Sequence, residues 1–190
     1  IDQTISFLNR YYKDHGPNGG YYSHIDPVTF DAKAESLGVN KAKKNWNSVG
    51  DHAPAYLINL YLATGDENYG RFLEDTFDTI CDHFPDYGYS PFMNEKFFDD
   101  WSHDLKWGIH QARCVVGHNL KVAWNLTRMH SLTPKESYKT FAHQIADAIP
   151  AAGCDNQRGG WYDMMERTLK DGEENYRRVW HDRKAWWQQE

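Results

Sequence analysis

The chain has 190 residues, a length that fits one domain or one part of a larger one. Apolar residues make up 40% and charged residues 25%, a globular balance that excludes a disordered polymer. A net charge of −6 without a long Lys/Arg block argues against a nucleic-acid partner, and no apolar run reaches the roughly 18 residues of a membrane span.

Aromatic residues reach 15%, which means either dense core packing or flat platforms for sugar rings. Cys81, Cys114 and Cys154 are odd in number and form no CxxC pair. They fit a reducing, cytoplasmic setting and offer no zinc pattern. No metal and no other cofactor is expected. No signal-peptide pattern is read at the start.

Taken in order, residues 1–14 place Ile5, Leu8, Tyr11 and Tyr12 at helical spacing, ended by Gly16 and Pro17. Gly19-Gly20-Tyr21-Tyr22 and Val28-Thr29-Phe30, separated by an Asp26-Pro27 turn, predict a short hairpin. A polar loop through Lys41–Lys44 leads to Trp46-Asn47. Residues 51–64 predict a buried helix with Pro54 in its first turn and Tyr56, Leu57, Leu60 and Tyr61 on one face. Gly65 and Asp66 end it and cap an amphipathic helix over 67–84.

The pattern then repeats. Gly88-Tyr89 opens an aromatic stretch, followed by a buried helix predicted over about 109–130. Gln111, Cys114, His118, Lys121 and Asn125 form a polar stripe on that helix. A buried polar stripe must either join a satisfied core network or face a cavity. Asn125-Leu126-Thr127 is a glycosylation triplet, here buried and out of reach. Thr133-Pro134-Lys135-Glu136 has the form of a capping box before a second amphipathic helix.

Thr64, Glu67, Tyr69, Phe72 and Ile80 recur 69 positions later as Thr133, Glu136, Tyr138, Phe141 and Ile149. A third copy opens at Gly159-Gly160-Trp161-Tyr162, and Lys44 and Trp46 return as Lys184 and Trp186. A unit of roughly 70 residues cannot bury its apolar face alone and must stack on its neighbours. Inner buried and outer amphipathic helices describe an all-α fold of the α/α toroid type. About two and a half helical hairpins are expected, with small β hairpins at one rim. The chain opens inside a helix and stops within Lys184–Glu190. It is therefore expected to be a single domain over 1–190, a piece of a longer polypeptide. A half toroid exposes its inner faces, so association, in the simplest case a homodimer, is expected of the isolated piece.

At this point three motifs resemble a known family. Gly117-His118-x-x-Lys121-x-x-Trp124, then Gly159-Gly160-Trp161-Tyr162, then Lys184-x-Trp186-Trp187-x-Gln189 are similar in order and spacing to the N-acylglucosamine 2-epimerase and cellobiose 2-epimerase family. Lys44-Asn45-Trp46-Asn47 resembles that family's Asn-containing motif. The resemblance implies an (α/α)6 barrel about twice this length. It implies epimerisation or aldose–ketose isomerisation at C2 of a ring-opened sugar or disaccharide. One histidine takes the proton beside the carbonyl and a second, on a helix outside this chain, returns one. It places His118 on the first histidine, Glu190 near an acidic position, and Trp124 and Trp186 on sugar-walling positions. The family carries Glu where this chain has Lys121, and histidines where it has Asn47-Ser48-Val49-Gly50-Asp51-His52.

Read from the residues themselves, His118 suits proton transfer because its ordinary pKa lies near neutrality. Lys121 one turn away would lower that pKa and polarise a sugar oxygen; the alternative is a structural His–Lys pair. Glu190 could assist ring opening or simply begin a helix. Asn47, Asp51 and His52 could bind sugar hydroxyls, while Asp51 could equally be an N-cap. Asp99, Asp100, His103, Asp104 and His110 cluster around Trp101 and Trp107, more in the manner of a rim loop than a metal site. Two other readings remain open. One is a glycoside hydrolase or lyase using Asp51 with Asp104 or Glu190. The other is a non-catalytic sugar-binding relative.

Overall fold

The computed structural model describes residues 1–108, 113–180 and 182–189, with the side chains of 52–54 left out. Helix is the dominant structure. α1 (Asp2–Phe7) runs on into a wider π-helical turn over Leu8–Tyr12. Two helical hairpins follow, α2 (His52–Thr64) with α3 (Glu67–His83) and α4 (Val116–Leu132) with α5 (Glu136–Gly153). Within each hairpin the two helices pack on one another, and α2 also touches α4 while α3 touches α4 and α5. The hairpins thus pack side by side, with α3 reaching both helices of the second.

The outer helices form for the expected reason. α3 buries Leu73, Thr76, Phe77 and Ile80, and α5 buries Tyr138, Phe141, Ala142, Ile145 and Ile149. Those spacings put one apolar stripe on each helix. Between the two layers lies a core built on Trp46, Phe77, Phe84, Phe92, Phe97, Tyr138 and Phe141, all fully buried. Tyr138 Oη donates to Asp78 at 2.8 Å and Lys135 Nζ reaches Asp78 and Glu74, tying α5 to α3.

Helix ends agree with the sequence at one junction and not at the other. Gly65 takes the left-handed conformation (φ 67°) that closes α2, and Asp66 accepts from Asn68 N at 2.9 Å to open α3. Thr133, by contrast, caps nothing. α5 begins at Glu136 with Lys135 as N-cap and no side-chain cap, since an ammonium has no acceptor to offer; Lys135 pairs with the acidic face of α3 instead.

Three more expectations change. The predicted inner helix over 109–130 starts only at Val116; Arg113–Val115 is a strand, so Cys114 leaves the helical stripe, and Gln111 lies outside the described residues. α2 is not buried all round: Leu57 and Ile58 are covered, whereas Tyr56 and Leu62 are 72% and 60% exposed. No hairpin forms over 19–30. Asp26 instead holds a turn, its Oδ1 accepting from Val28 N and Thr29 N.

The strands pair between repeats instead. β1 (Lys43–Asn45) pairs antiparallel with β2 (Lys96–Phe98), with Lys44 opposite Phe97. β3 (Arg113–Val115) pairs antiparallel with β4 (Met164–Glu166), with Cys114 opposite Met165. Each sheet therefore joins the strand entering one inner helix to a strand from the next repeat. The polar loop expected at 41–44 is in part the strand β1. Later in the third repeat, Trp186–Gln188 form a short 3-10 turn.

Cys81, Cys114 and Cys154 are free thiols. Burial pushes the Cys81 thiol up to about 12 and the fully buried Cys114 well above its ordinary range. Because the thiolate is the reactive form, both are expected to alkylate slowly in the native protein at mildly alkaline pH. Both should react readily after denaturation. Site-resolved mass spectrometry checks this, and rapid native labelling of Cys114 contradicts it. Among the described residues, no helix is long and apolar enough to cross a membrane.

Candidate active site

The first turns of α4 and the Trp186–Gln188 turn pack together and border an open cleft of about 1000 Å³. Asp51, His118, Lys121, Trp124, Trp161, Trp186 and Trp187 are among its walls. Trp124, Trp186 and Trp187 are 54%, 75% and 37% exposed, so they are not spent in the core, although Arg128 stacks on the Trp124 ring at 4.9 Å. α4 is consequently an inner helix with one wet face, not a helix buried on every side.

Gly117 brings these walls together. A Cβ there would overlap the side chains of Gln188 and Trp187, so only glycine lets the Trp-Trp turn lie against α4. The turn is held from behind. Gln188 Nε2 donates to Asp163 Oδ1 at 3.0 Å. Gln189 accepts from Trp161 N at 2.7 Å and donates to Trp161 O at 2.9 Å. Gln188, Gln189 and Trp161 shape the cleft, and the Gly-Gly-Trp-Tyr motif, an echo of Gly19-Gly20-Tyr21-Tyr22, with the Trp-Trp motif is the sequence signal that marks them.

His118 sits between two indoles, its ring centroid 6.3 Å from Trp46 and 5.5 Å from Trp187. Its Nδ1 lies 2.6 Å from Glu95 Oε2, and the Glu95 side chain is only 4% exposed. Burial pulls the His118 pKa down, but the Glu95 charge and hydrogen bond, helped by Asp51, outweigh burial and an opposing Lys96; the net shift is upward. This overturns the lowering expected from Lys121. That ammonium is turned to Asp51 Oδ1 at 2.6 Å, and the partner of His118 is Glu95, which sequence reasoning missed.

A histidine whose folded pKa exceeds its unfolded value holds its proton more tightly when folded. Its stabilising contribution is full below the unfolded value of about 6.5 and fades as pH rises through the folded value. The stability gap between the protein and His118→Asn should therefore be wider at about pH 5.5 than at about pH 8. Thermal melts of both proteins at the two pH values check it, and a gap that widens with pH contradicts it.

Asp51 stands at the N-cap position of α2 but makes no side-chain cap bond to it. The backbone before it is a π-helical turn over Asn47–Asp51, and its carboxylate takes Lys121 on one oxygen and Asn47 Nδ2, at 3.0 Å, on the other. Asp51 and Lys121 are thus an ion pair in the cleft wall, 25% exposed on the lysine side. Asn47 supports it from a neighbouring cavity of about 410 Å³ lined by Tyr12, Tyr21, Tyr22 and Phe72. The side chain of His52 and the whole of His110 and Glu190 lie outside the described residues.

The aspartate cluster near Trp101 is dispersed into separate contacts. Asp99 pairs with Lys33 at 3.2 Å, Asp104 with Lys43 at 2.5 Å, and His103 bonds Asn94. Asp104 is bound to the end of β1 and is not in the cleft wall, so the Asp51–Asp104 carboxylate pair is not assembled. Among the described residues, no three His, Cys, Asp or Glu side chains are grouped to hold a metal ion.

No family model matches the chain, and no curated protein matches it. Solved structures do. Cellobiose 2-epimerase from Spirochaeta thermophila superposes with a TM-score of 0.65 at 16% identity, covering 91% of this chain and 41% of that one. A D-mannose isomerase gives 0.64 at 19% identity, covering 86% and 39%. A family 76 glycoside hydrolase (mannosidase) from Bacteroides thetaiotaomicron gives 0.51 at 11% identity, covering 86% and 56%. This chain spans about two-fifths of the length of the epimerase and isomerase structures. At these identities what is shared is the fold: paired helices carrying small antiparallel sheets.

Proposed function

We propose that the protein is a carbohydrate epimerase or isomerase acting at C2 of a ring-opened reducing sugar, and that its repeats form a sector of an α/α toroid. The observation that carries the reading is the His118–Glu95 pair set between Trp46 and Trp187 at the side of a tryptophan-walled cleft. An imidazole bonded to a buried carboxylate can take a proton and give it back. The exposed indoles supply flat apolar surface for a sugar ring.

In the proposed step the C2–H bond of the open-chain aldose breaks and its proton goes to His118. The electron pair forms the C1–C2 double bond of an enediolate. Passing the O2 hydroxyl proton to O1 and returning a proton to C1 leaves the carbonyl at C2 and gives the ketose. Returning a proton to the other face of C2 re-forms the C1 carbonyl and gives the epimer, which needs a second acid opposite His118. The Asp51–Lys121 pair offers an acceptor and a donor side by side, matching the sugar's own hydroxyls and the developing oxyanion. Asn47 fixes the orientation of Asp51. Glycoside hydrolysis would need two carboxylates facing one another across the sugar. Asp51 is bound to Lys121 and Asp104 to Lys43, which favours proton transfer.

The test is to incubate the protein with mannose, N-acetylglucosamine and cellobiose in heavy water and follow C2 by NMR. Deuterium entry at C2 with a new epimer or ketose is the expected result. Release of a new reducing end would replace the reading with a hydrolase, and neither change would replace it with a binding protein.

A further inference from the structure

We propose that Glu95 is the positioning residue of the proton-transfer group: its buried carboxylate fixes which nitrogen of His118 carries the proton and the angle at which the ring meets the cleft. The proposal rests on His118 being the group that moves the substrate proton, but its own readout does not.

Three observations converge on Glu95. Its Oε2 is 2.6 Å from Nδ1 of His118, so the proton is held on Nδ1 and Nε2 becomes the basic atom. Its backbone is clamped on both sides. The Glu95 carbonyl accepts from Trp46 N at 3.1 Å, Asn94 N donates to Phe84 O at 2.8 Å, and Lys96 is paired with Asn45 across the β1–β2 sheet. The carboxylate therefore moves with the rigid entrance of the inner helix, as a residue that sets geometry must.

The third observation is a cost. Glu95 Oε1 is buried without a hydrogen-bond partner among the described residues. A half-satisfied buried carboxylate weakens a fold relative to an apolar residue of similar size. Above the His118 titration range, where the pair's contribution to stability has faded, stability gives no reason for an acid at this position, whereas control of the His118 tautomer does. The charges that act on the ring are of both signs. Asp51 faces it from the start of α2 and adds to Glu95, Lys96 of β2 opposes, and Lys121 on α4 itself is occupied by Asp51.

The experiment is nitrogen-15 NMR of histidine-labelled protein, comparing the unaltered chain with Glu95→Gln and Glu95→Asp. In the unaltered protein neutral His118 should be protonated at Nδ1. In Glu95→Gln its titration midpoint should fall by about 1 pH unit or more, the tautomer should become mixed, and the melting temperature at about pH 8, where the charged pair contributes least, should hold or rise. Glu95→Asp keeps the charge one methylene further back and should retain most of the midpoint. With an active sugar in hand, kcat in Glu95→Gln should drop about 10²-fold at unchanged KM, with the basic limb of the pH profile displaced. An unchanged tautomer and midpoint in Glu95→Gln overturns the proposal. So does a protein that merely melts earlier in both variants with its His118 titration intact. A displaced titration in a protein that exchanges no C2 proton upholds the positioning role and overturns only the catalytic reading.

Discussion

Replacing His118 with Asn is expected to lower deuterium incorporation at C2 by about 10²- to 10⁴-fold, the usual contribution of a positioned general acid–base group. Asparagine is close in size, can still donate to Glu95, and leaves Trp124, Trp186 and Trp187 in place to bind the sugar. Ground-state binding should accordingly survive, and the loss should fall on kcat rather than on KM. NMR exchange rates at saturating sugar measure it. Undiminished exchange would remove His118 from the chemistry and leave it a structural partner of Glu95.

The largest expected stability loss lies away from the cleft. Lys44 is completely buried, yet its ammonium is 2.8 Å from Asp14 Oδ2, 2.7 Å from the Asp99 carbonyl, and 4.7 Å from the centre of the Trp101 ring. Burial pushes the Asp14 carboxyl up, but the Lys44 hydrogen bond and charge with the Gly16 amide bring it below the usual carboxylate range. Burial pulls the Lys44 ammonium down despite Asp14. Asp14→Ala leaves that ammonium buried without its counter-charge, which should cost about 3–5 kcal/mol. Urea denaturation measures the loss. Adding Lys44→Met to Asp14→Ala should recover a large part of it, because the thioether chain fills the same space without a charge. A double variant no more stable than Asp14→Ala would show that packing, not charge, sets the loss.

The same device appears twice, and this explains why so much of the architecture is legible in the sequence. Asp14 N bonds Gly20 O and Asp155 N bonds Gly160 O, each at 2.8 Å, and Lys184 meets Asp155 at 2.8 Å just as Lys44 meets Asp14. The Gly-Gly and Lys-x-Trp echoes in the sequence are the written trace of that recurring geometry. Outer helices are equally readable, since a stripe such as Tyr138, Phe141, Ile145 and Ile149 has one period and one meaning.

What stays hidden is set by partners far along the chain. Arg113-Cys114-Val115 is a short apolar run that suits helix and strand alike, and only pairing with Met164–Glu166 decides it. Glu95 lies in an aromatic loop 23 residues before His118, at no spacing that marks it as a partner. Lys121 and Asp51 each stand out singly in the sequence, with nothing local to join them. Their separation of 70 residues is one repeat, so it is the stacking of one repeat on the next that brings these opposite charges together.

The two small sheets carry one more consequence. Because β1 reaches forward to β2 and β3 to β4, no repeat owns a complete sheet, and each inner helix begins from a strand clipped to its successor. Such a chain cannot shed its hairpins one by one at this rim. Opening the Lys43–Asn45 pairing frees the entrance of α2 and the loop that carries Glu95 in a single event. Amide exchange along Lys96–Phe98 should therefore report on the integrity of the His118 pair as sensitively as any probe placed on the histidine.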